Sequence, residues 1–234
     1  MRILVVGNTD GIGLAVTRRL LDEGWTVAGL SRRPSPLASD RYRHTVADVG
    51  ASDYRARLAG LLEAEAPFDA CLYCAGIGEL FDPNDLRREA EVVRVNLVGA
   101  VETASLVLPA MVGARRGHFL ALSSIGDGVS PTAPSYAASK AGLSSYLGGL
   151  ALALRRHGVH VTNLRFGFVD TKMAKAPVRP FMIGPEKAAA IVVRALRRPR
   201  ARVTHPWRTA LLAWVLERVH AVRLQLARPA RARR

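Results

Sequence analysis

Two kinds of apolar pattern alternate along the chain. Residues 3–6, 25–30, 42–46, 69–73, 119–122, 159–164 and 201–205 are short runs of strand length. Those at 3–6 (Ile-Leu-Val-Val) and 119–122 (Phe-Leu-Ala-Leu) have no polar interruption, the pattern of a strand covered on both faces. Between these runs lie longer stretches with helical spacing: from the glycine turn after residue 6 to about 23, stopped by Gly24, then 52–65, 85–112, 135–154 and 185–197. Pro185 suits the first turn of the last of these. Residues 172–184 read as a loop, with Met173, Phe181 and Met182 among prolines, a candidate apolar wall for a pocket. A final amphipathic stretch covers 207–226, where Leu211, Trp214, Val215, Val219, Val222 and Leu226 recur at steps of three and four, with Arg208, Arg218 and Arg223 largely off that stripe. There is no internal repeat. Strands alternating with helices predict an α/β, Rossmann-like, doubly wound and mostly parallel sheet in a single domain. The expected organisation is a nucleotide-binding domain over 1–205, a C-terminal amphipathic helix over 206–227 that packs on the body or a subunit interface, and a basic tail over 228–234.

The first strand runs into Gly7-Asn8-Thr9-Asp10-Gly11-Ile12-Gly13 and then into a helix. Strand, glycine turn and helix open a dinucleotide-binding unit, because the glycines permit a tight turn and close backbone approach to a pyrophosphate on the helix N-terminal amides. The second strand ends in Ser31-Arg32-Arg33-Pro34. An NAD site usually carries an acid at this corner, whereas an arginine suits a ribose 2′-phosphate. The corner therefore predicts NADP(H), with Ser31 and Arg32 as contacts; solvated loop arginines are the alternative. Asp10 weighs the other way by adding negative charge nearby.

The residues that carry chemistry cluster around Ser135-Tyr136-Ala137-Ala138-Ser139-Lys140. On a helix, Tyr136 and Lys140 lie one turn apart on one face. An ammonium close to a phenol favours phenolate and pulls its pKa down towards neutrality, as a general acid/base requires. An ordinary surface pair has the same spacing; the serine pair Ser123-Ser124 after an apolar run, and the glycine turn, favour the catalytic reading.

Composition changes the picture in two places. The net charge is +15, and from Arg194 to Arg234 twelve arginines face one acid, Glu217, a local balance of +11. Cys71 and Cys74 are spaced C-x-x-C, but strand residues three apart face opposite sides, so structural cysteines are expected rather than a disulfide. The six histidines show no metal spacing, and no metal site is expected. No apolar run approaches the eighteen or more residues of a membrane span. The chain opens directly in a candidate strand, which predicts no signal peptide and a cytoplasmic protein.

With these motifs the chain resembles the short-chain dehydrogenase/reductase family, in its classical branch, over about residues 2–205. The resemblance implies cofactor contacts at Gly7, Asn8, Thr9, Gly11, Ile12 and Gly13. It places Asp48 and Val49 at the adenine, Cys74, Ala75 and Gly76 at the segment that is usually asparagine-alanine-glycine, and Val169 and Thr171 beside the nicotinamide. It implies a catalytic set of Asn96, Ser124, Tyr136 and Lys140, with Tyr136 and Lys140 also touching the cofactor and Asn96 positioning a water behind Lys140. Val6 stands where the family has a threonine, Cys74 where it has asparagine, and Phe166-Gly167 where it has proline-glycine. Strand alignment selects Ser124; the family's commoner spacing to the tyrosine would select Ser123. The resemblance further implies a homodimer or homotetramer.

Three functional readings follow. The first is an NADP(H)-dependent carbonyl reductase, transferring hydride between nicotinamide and a small apolar carbonyl or secondary alcohol. The second is a reductase of ketoacyl groups tethered to an acidic carrier protein, drawn by the basic C-terminal region. The third is a non-catalytic cofactor-binding module. No nucleic-acid partner is expected, and a membrane surface is the other partner to which the basic amphipathic stretch is suited.

Overall fold

A computed structural model of the chain describes residues 1–174, 179–211, 213, 215, 218 and 219. Seven strands form one sheet: β1 (Arg2–Val6), β2 (Thr26–Ser31), β3 (Tyr42–Val46), β4 (Ala70–Tyr73), β5 (Gly117–Ser124), β6 (Val159–Phe166) and β7 (Arg202–His205). Every neighbouring pair is parallel, and the order is β3-β2-β1-β4-β5-β6-β7. The chain winds outward from β1 to β3, then crosses back to lay β4 on the other side of β1. That reversal opens a crevice at the C-terminal ends of β1 and β4, where an open α/β sheet holds its ligand.

Strand alternation explains why residues 3–6 of β1 carry no polar residue. In β1, Ile3 and Val5 enter one apolar core together with Val16 and Leu20 of helix α1 (Gly11–Asp22) and Val192 and Leu196 of α6 (Pro185–Arg197). Leu4 and Val6 enter the opposite core with Leu58 of α2 (Tyr54–Glu65), Val107 of α4 (Gly99–Gly113) and Leu147 of α5 (Pro134–Ala153). A strand covered by helices on both faces must be apolar at every position.

The long helical region begins with α3 (Glu89–Val93), passes through one π-helical turn over Arg94–Val98 and continues as α4. Averaged over eighteen residues this stretch reaches a mean hydropathy of 1.6, so by length and composition it matches a membrane span, contrary to the sequence expectation. Interruptions such as Arg94, Asn96 and Glu102 break the run, while small apolar residues keep its average high. Half of the window is buried inside the domain, and its apolar side is a core helix face.

Cys71 and Cys74 are free thiols. The segment 172–184, where described, is irregular and is anchored by a parallel bridge from Val169 to Ile183.

Residues 207–211, 213, 215, 218 and 219 are helical. The small side chains turn inward: Thr209 is buried and Ala210 and Ala213 partly so, while Leu211, Val215 and Val219 face solvent. The described positions of the apolar stripe thus lie on the outer face, and the small residues let the helix backbone approach the body closely. Trp214, Val222, Leu226 and Arg223 lie outside the described residues.

Candidate active site

The crevice is shaped by two close backbone approaches. Gly7 has φ +87°, and a Cβ there would stand 2.5 Å from the Ala75 nitrogen; a Cβ on Gly13 would collide with the Gly7 carbonyl. The turn after β1 therefore presses against the Cys74–Gly76 exit of β4, and α1 starts directly above it. Asp10 caps α1 by accepting from the Gly11 N–H at 2.8 Å. Burial would raise its pKa, but hydrogen bonds from Lys172 and Gly11, the Lys172 charge and an Arg33 hydrogen bond outweigh burial and hold it below the usual carboxylate range. Lys172 and Arg33 each lie 3.1 Å from it. The negative charge expected to weaken the site is thus balanced by two cations.

Several expected cofactor contacts have other work. The Asn8 side chain is fully buried: it donates to the Tyr42 hydroxyl and accepts from Ser31 Oγ at 2.8 Å, while Asn8 N–H donates to Ser31 Oγ at 2.9 Å. These contacts tie the turn to β2 and β3. Val49 is buried in the core, and Asp48 Oδ1 accepts from Gly50 N–H at 2.8 Å. Thr9 and Ile12 are partly exposed at the turn, and Thr171 stands over Gly11, within 3.0 Å of where a Cβ would lie. Arg32 is exposed at the end of β2 with no hydrogen bond or ion pair among the described residues. Val169 is buried beside Ile183.

The turn glycines, the capped N-terminus of α1 and exposed Arg32 fit a phosphorylated dinucleotide. Beyond the Gly11 N–H that Asp10 takes, the first-turn amides of α1 can receive a diphosphate, and Arg32 is an exposed cation at the end of β2.

Ser124, Tyr136 and Lys140 converge beyond the end of β5. The Ser124 hydroxyl hydrogen-bonds Tyr136 and accepts from the Gly126 N–H at 3.0 Å. Lys140 Nζ lies 5.8 Å from the Tyr136 ring centroid and donates to the Leu122 carbonyl at 2.8 Å. Burial pushes the Lys140 pKa down to about 8, with Cys74 opposing. The expected lowering of Tyr136 is not found: burial raises its pKa, the Ser124 hydrogen bond opposes, and the Asp127 charge adds to the rise. The reason is that helical spacing brings Lys140 near the ring while its ammonium points to a backbone carbonyl.

Asn96 sits on the π-helical turn, a local widening that often marks functional positions. Its Oδ1 accepts from Ile77 N–H at 2.8 Å, and its Nδ2 donates to the Ile77 carbonyl at 2.9 Å and to Ser139 Oγ at 3.0 Å. Ser139 in turn donates to the Tyr136 carbonyl at 2.7 Å. The side chain clamps the 77 segment to the second turn of α5, with both N–H donors spent.

Ser123 points away from this chemistry. Ser144 donates to Asp127 Oδ2 at 2.8 Å, so the 2.6 Å contact between Ser123 and Ser144 requires Ser123 to donate. Arg165 closes the chain by donating to Asp127 Oδ1 at 2.6 Å, both side chains being largely buried. Asp127, Ser144 and Arg165 were missed in the sequence. The signal present was a lone arginine inside the otherwise buried strand β6, which a partner must satisfy.

Comparison with known proteins agrees with this geometry. The family model described as short chain dehydrogenase matches residues 1–179. The chain belongs to the short-chain dehydrogenase/reductase family. Members of this family are oxidoreductases that use NAD(P)(H). The chain is 31% identical over 225 residues to an uncharacterised oxidoreductase of Myxococcus xanthus, covering 89% of this chain and 88% of that one. It is 33% identical over 182 residues to a 3-ketodihydrosphingosine reductase of Bacteroides thetaiotaomicron, covering 73% and 66%. A short-chain dehydrogenase from Burkholderia cenocepacia, solved in complex with NADP, shares the fold at TM-score 0.83 and 21% identity, over 97% of this chain and 98% of that one.

Proposed function

We propose that this oxidoreductase reduces an apolar carbonyl compound to the alcohol with NADPH. The observation that carries the reading is the meeting of Ser124, Tyr136 and Lys140 inside an apolar rim. Met173 lies 3.2 Å from a Cβ built on Gly78, whose next neighbour is the Tyr136 ring. Leu80, Phe81, Val129 and Met182 are exposed apolar side chains on the loops of this edge. Phe81 N–H donates to the Thr132 carbonyl at 2.8 Å, which ties the 77–81 segment to the loop before α5. The relative named as a 3-ketodihydrosphingosine reductase supports a lipid-like ketone.

Bound nicotinamide supplies the hydride. The chain's own residues supply the proton and the aim. Tyr136 remains protonated at neutral pH because burial holds its pKa up, so it is a donor to the alkoxide that develops on the carbonyl oxygen. The Ser124 hydroxyl hydrogen-bonds the same oxygen, a preorganised donor placed where charge grows. Lys140, protonated below about pH 8, keeps a positive charge 5.8 Å from the Tyr136 ring centroid, beside the group that gives up the proton. Asn96 holds the start of α5 so that these groups keep their register. Arg32 gives the preference for the 2′-phosphate, since no acid stands at that corner.

The test is NADPH absorbance with a panel of aliphatic aldehydes and ketones of increasing chain length, run on wild type and on Tyr136→Phe. Turnover that rises with chain length and falls about 10²–10⁴-fold in the variant is expected. Absence of turnover across the panel, or a variant that keeps a third of the rate, overturns the reading.

A further inference from the structure

We infer that the C-terminal helix is a docking surface for an anionic lipid membrane, independently of the substrate. The observation is an outward apolar stripe. Trp207, Leu211, Val215 and Val219 are spaced by four and are 67%, 57%, 45% and 43% exposed. At about 100° per residue they sweep roughly 120° of the helix surface. Thr209, Ala210 and Ala213 occupy the opposite side and face the body. A soluble helix normally hides its large apolar residues and shows its small ones. Here the order is reversed.

Charge selects the occupant. Arg208 and Arg218 are exposed, and by helical geometry they fall in the same sector as Trp207, Leu211, Val215 and Val219, not largely off the stripe as the sequence spacing suggested. Arg208 stacks on the Trp207 ring at 5.7 Å. The sequence from Arg194 onward carries twelve arginines against one acid. A second copy of the chain would bring like charges together, whereas a nucleic acid would leave the apolar stripe in water. A surface of anionic headgroups over acyl chains satisfies both at once: apolar side chains enter the headgroup boundary and arginines meet phosphates.

The placement is also apt. The helix follows β7 at the C-terminal end of the sheet, the end where Ser124 closes β5, and a Cβ on Gly167 would stand 3.4 Å from both Pro206 and Thr209 and 3.7 Å from Ile125, the residue after Ser124. Docking by this face would bring that end of the sheet to the membrane.

The test is co-sedimentation of the full chain with vesicles of phosphatidylcholine alone and of phosphatidylcholine with phosphatidylglycerol, across a range of salt. The comparison variants are Leu211→Glu with Val215→Glu, and the milder Leu211→Ser with Val215→Ser. Thermal melts check folding, and light scattering reports oligomeric state. Expected are binding to the anionic vesicles that largely survives moderate salt, and a loss of about tenfold or more in partitioning for the variants at unchanged melting temperature. Three results overturn the inference. One is no binding to anionic vesicles. Another is binding abolished by moderate salt and indifferent to the variants, which assigns it to the tail charges alone. The third is a wild-type oligomer that the variants convert to monomer, which makes the stripe a contact between copies.

Discussion

Replacing each of the adjacent serines separately should give opposite phenotypes. In Ser124→Ala the hydroxyl that meets Tyr136 disappears, and so does one of the donors to the developing alkoxide. Loss of one such preorganised donor costs about 10²–10³-fold in kcat. The Gly126 N–H that Ser124 accepts is on a partly exposed loop and can turn to water, so stability should barely change. In Ser123→Ala the lost group is the first link of a buried chain, Ser123 to Ser144 to Asp127, closed by Arg165. Ser144 keeps its bond to the carboxylate, so the cost is one neutral hydrogen bond, about 1 kcal/mol. For a chain of this size that lowers Tm by about 2–4 °C, with kcat retained within a few-fold. Steady-state kinetics on the best substrate and a calorimetric melt separate the two. A Ser123→Ala enzyme crippled at unchanged Tm, beside a Ser124→Ala enzyme that keeps a third of its rate, would refute the assignment and move the catalytic hydroxyl one residue back.

Four further outcomes are expected. Arg32→Ala should weaken NADPH binding by about tenfold or more, the worth of a charge-assisted hydrogen bond, and leave NADH untouched; fluorescence titration giving equal losses for both would make Arg32 structural. Reductive kcat should fall as the pH passes about 8, where Lys140 loses its proton, and Lys140→Met should lack that inflection. By linkage, the unfolded chain holds the Lys140 proton up to about 10.5, so between pH 8 and 10.5 wild type should gain stability relative to that variant; a loss over the same window would contradict the lowered pKa. Asp127→Asn should leave Arg165 with a largely buried unmatched charge and cost about 1–3 kcal/mol, read by chemical denaturation; an unchanged midpoint would mean the pair is idle.

Local chemistry was legible in the sequence. The glycine turn could be read because Gly7 and Gly13 act within a single strand-turn-helix unit, and Tyr136 and Lys140 because four residues is one helical turn. The uninterrupted apolar strands implied helices on both faces, and the sheet is built that way. What tertiary structure alone decided involves direction and distance. Ser123 and Ser124 lie on opposite faces of one strand, and only the packing of α5 against β5 chooses which meets the tyrosine. Periodicity marked an apolar stripe in the C-terminal helix, but periodicity is blind to which side the body occupies; the small residues Thr209, Ala210 and Ala213 took the inner side because they admit closer backbone contact. The side chains of Asn8 and Ser31 bond each other, and Asn8 bonds Tyr42, contacts that only the folded chain brings together. Asp127 and Arg165 are 38 residues apart in the chain and form an ion pair only because β5 and β6 lie side by side. The rise in Tyr136 and the fall in Lys140 likewise come from burial, a property of the assembled core that no spacing along the chain records.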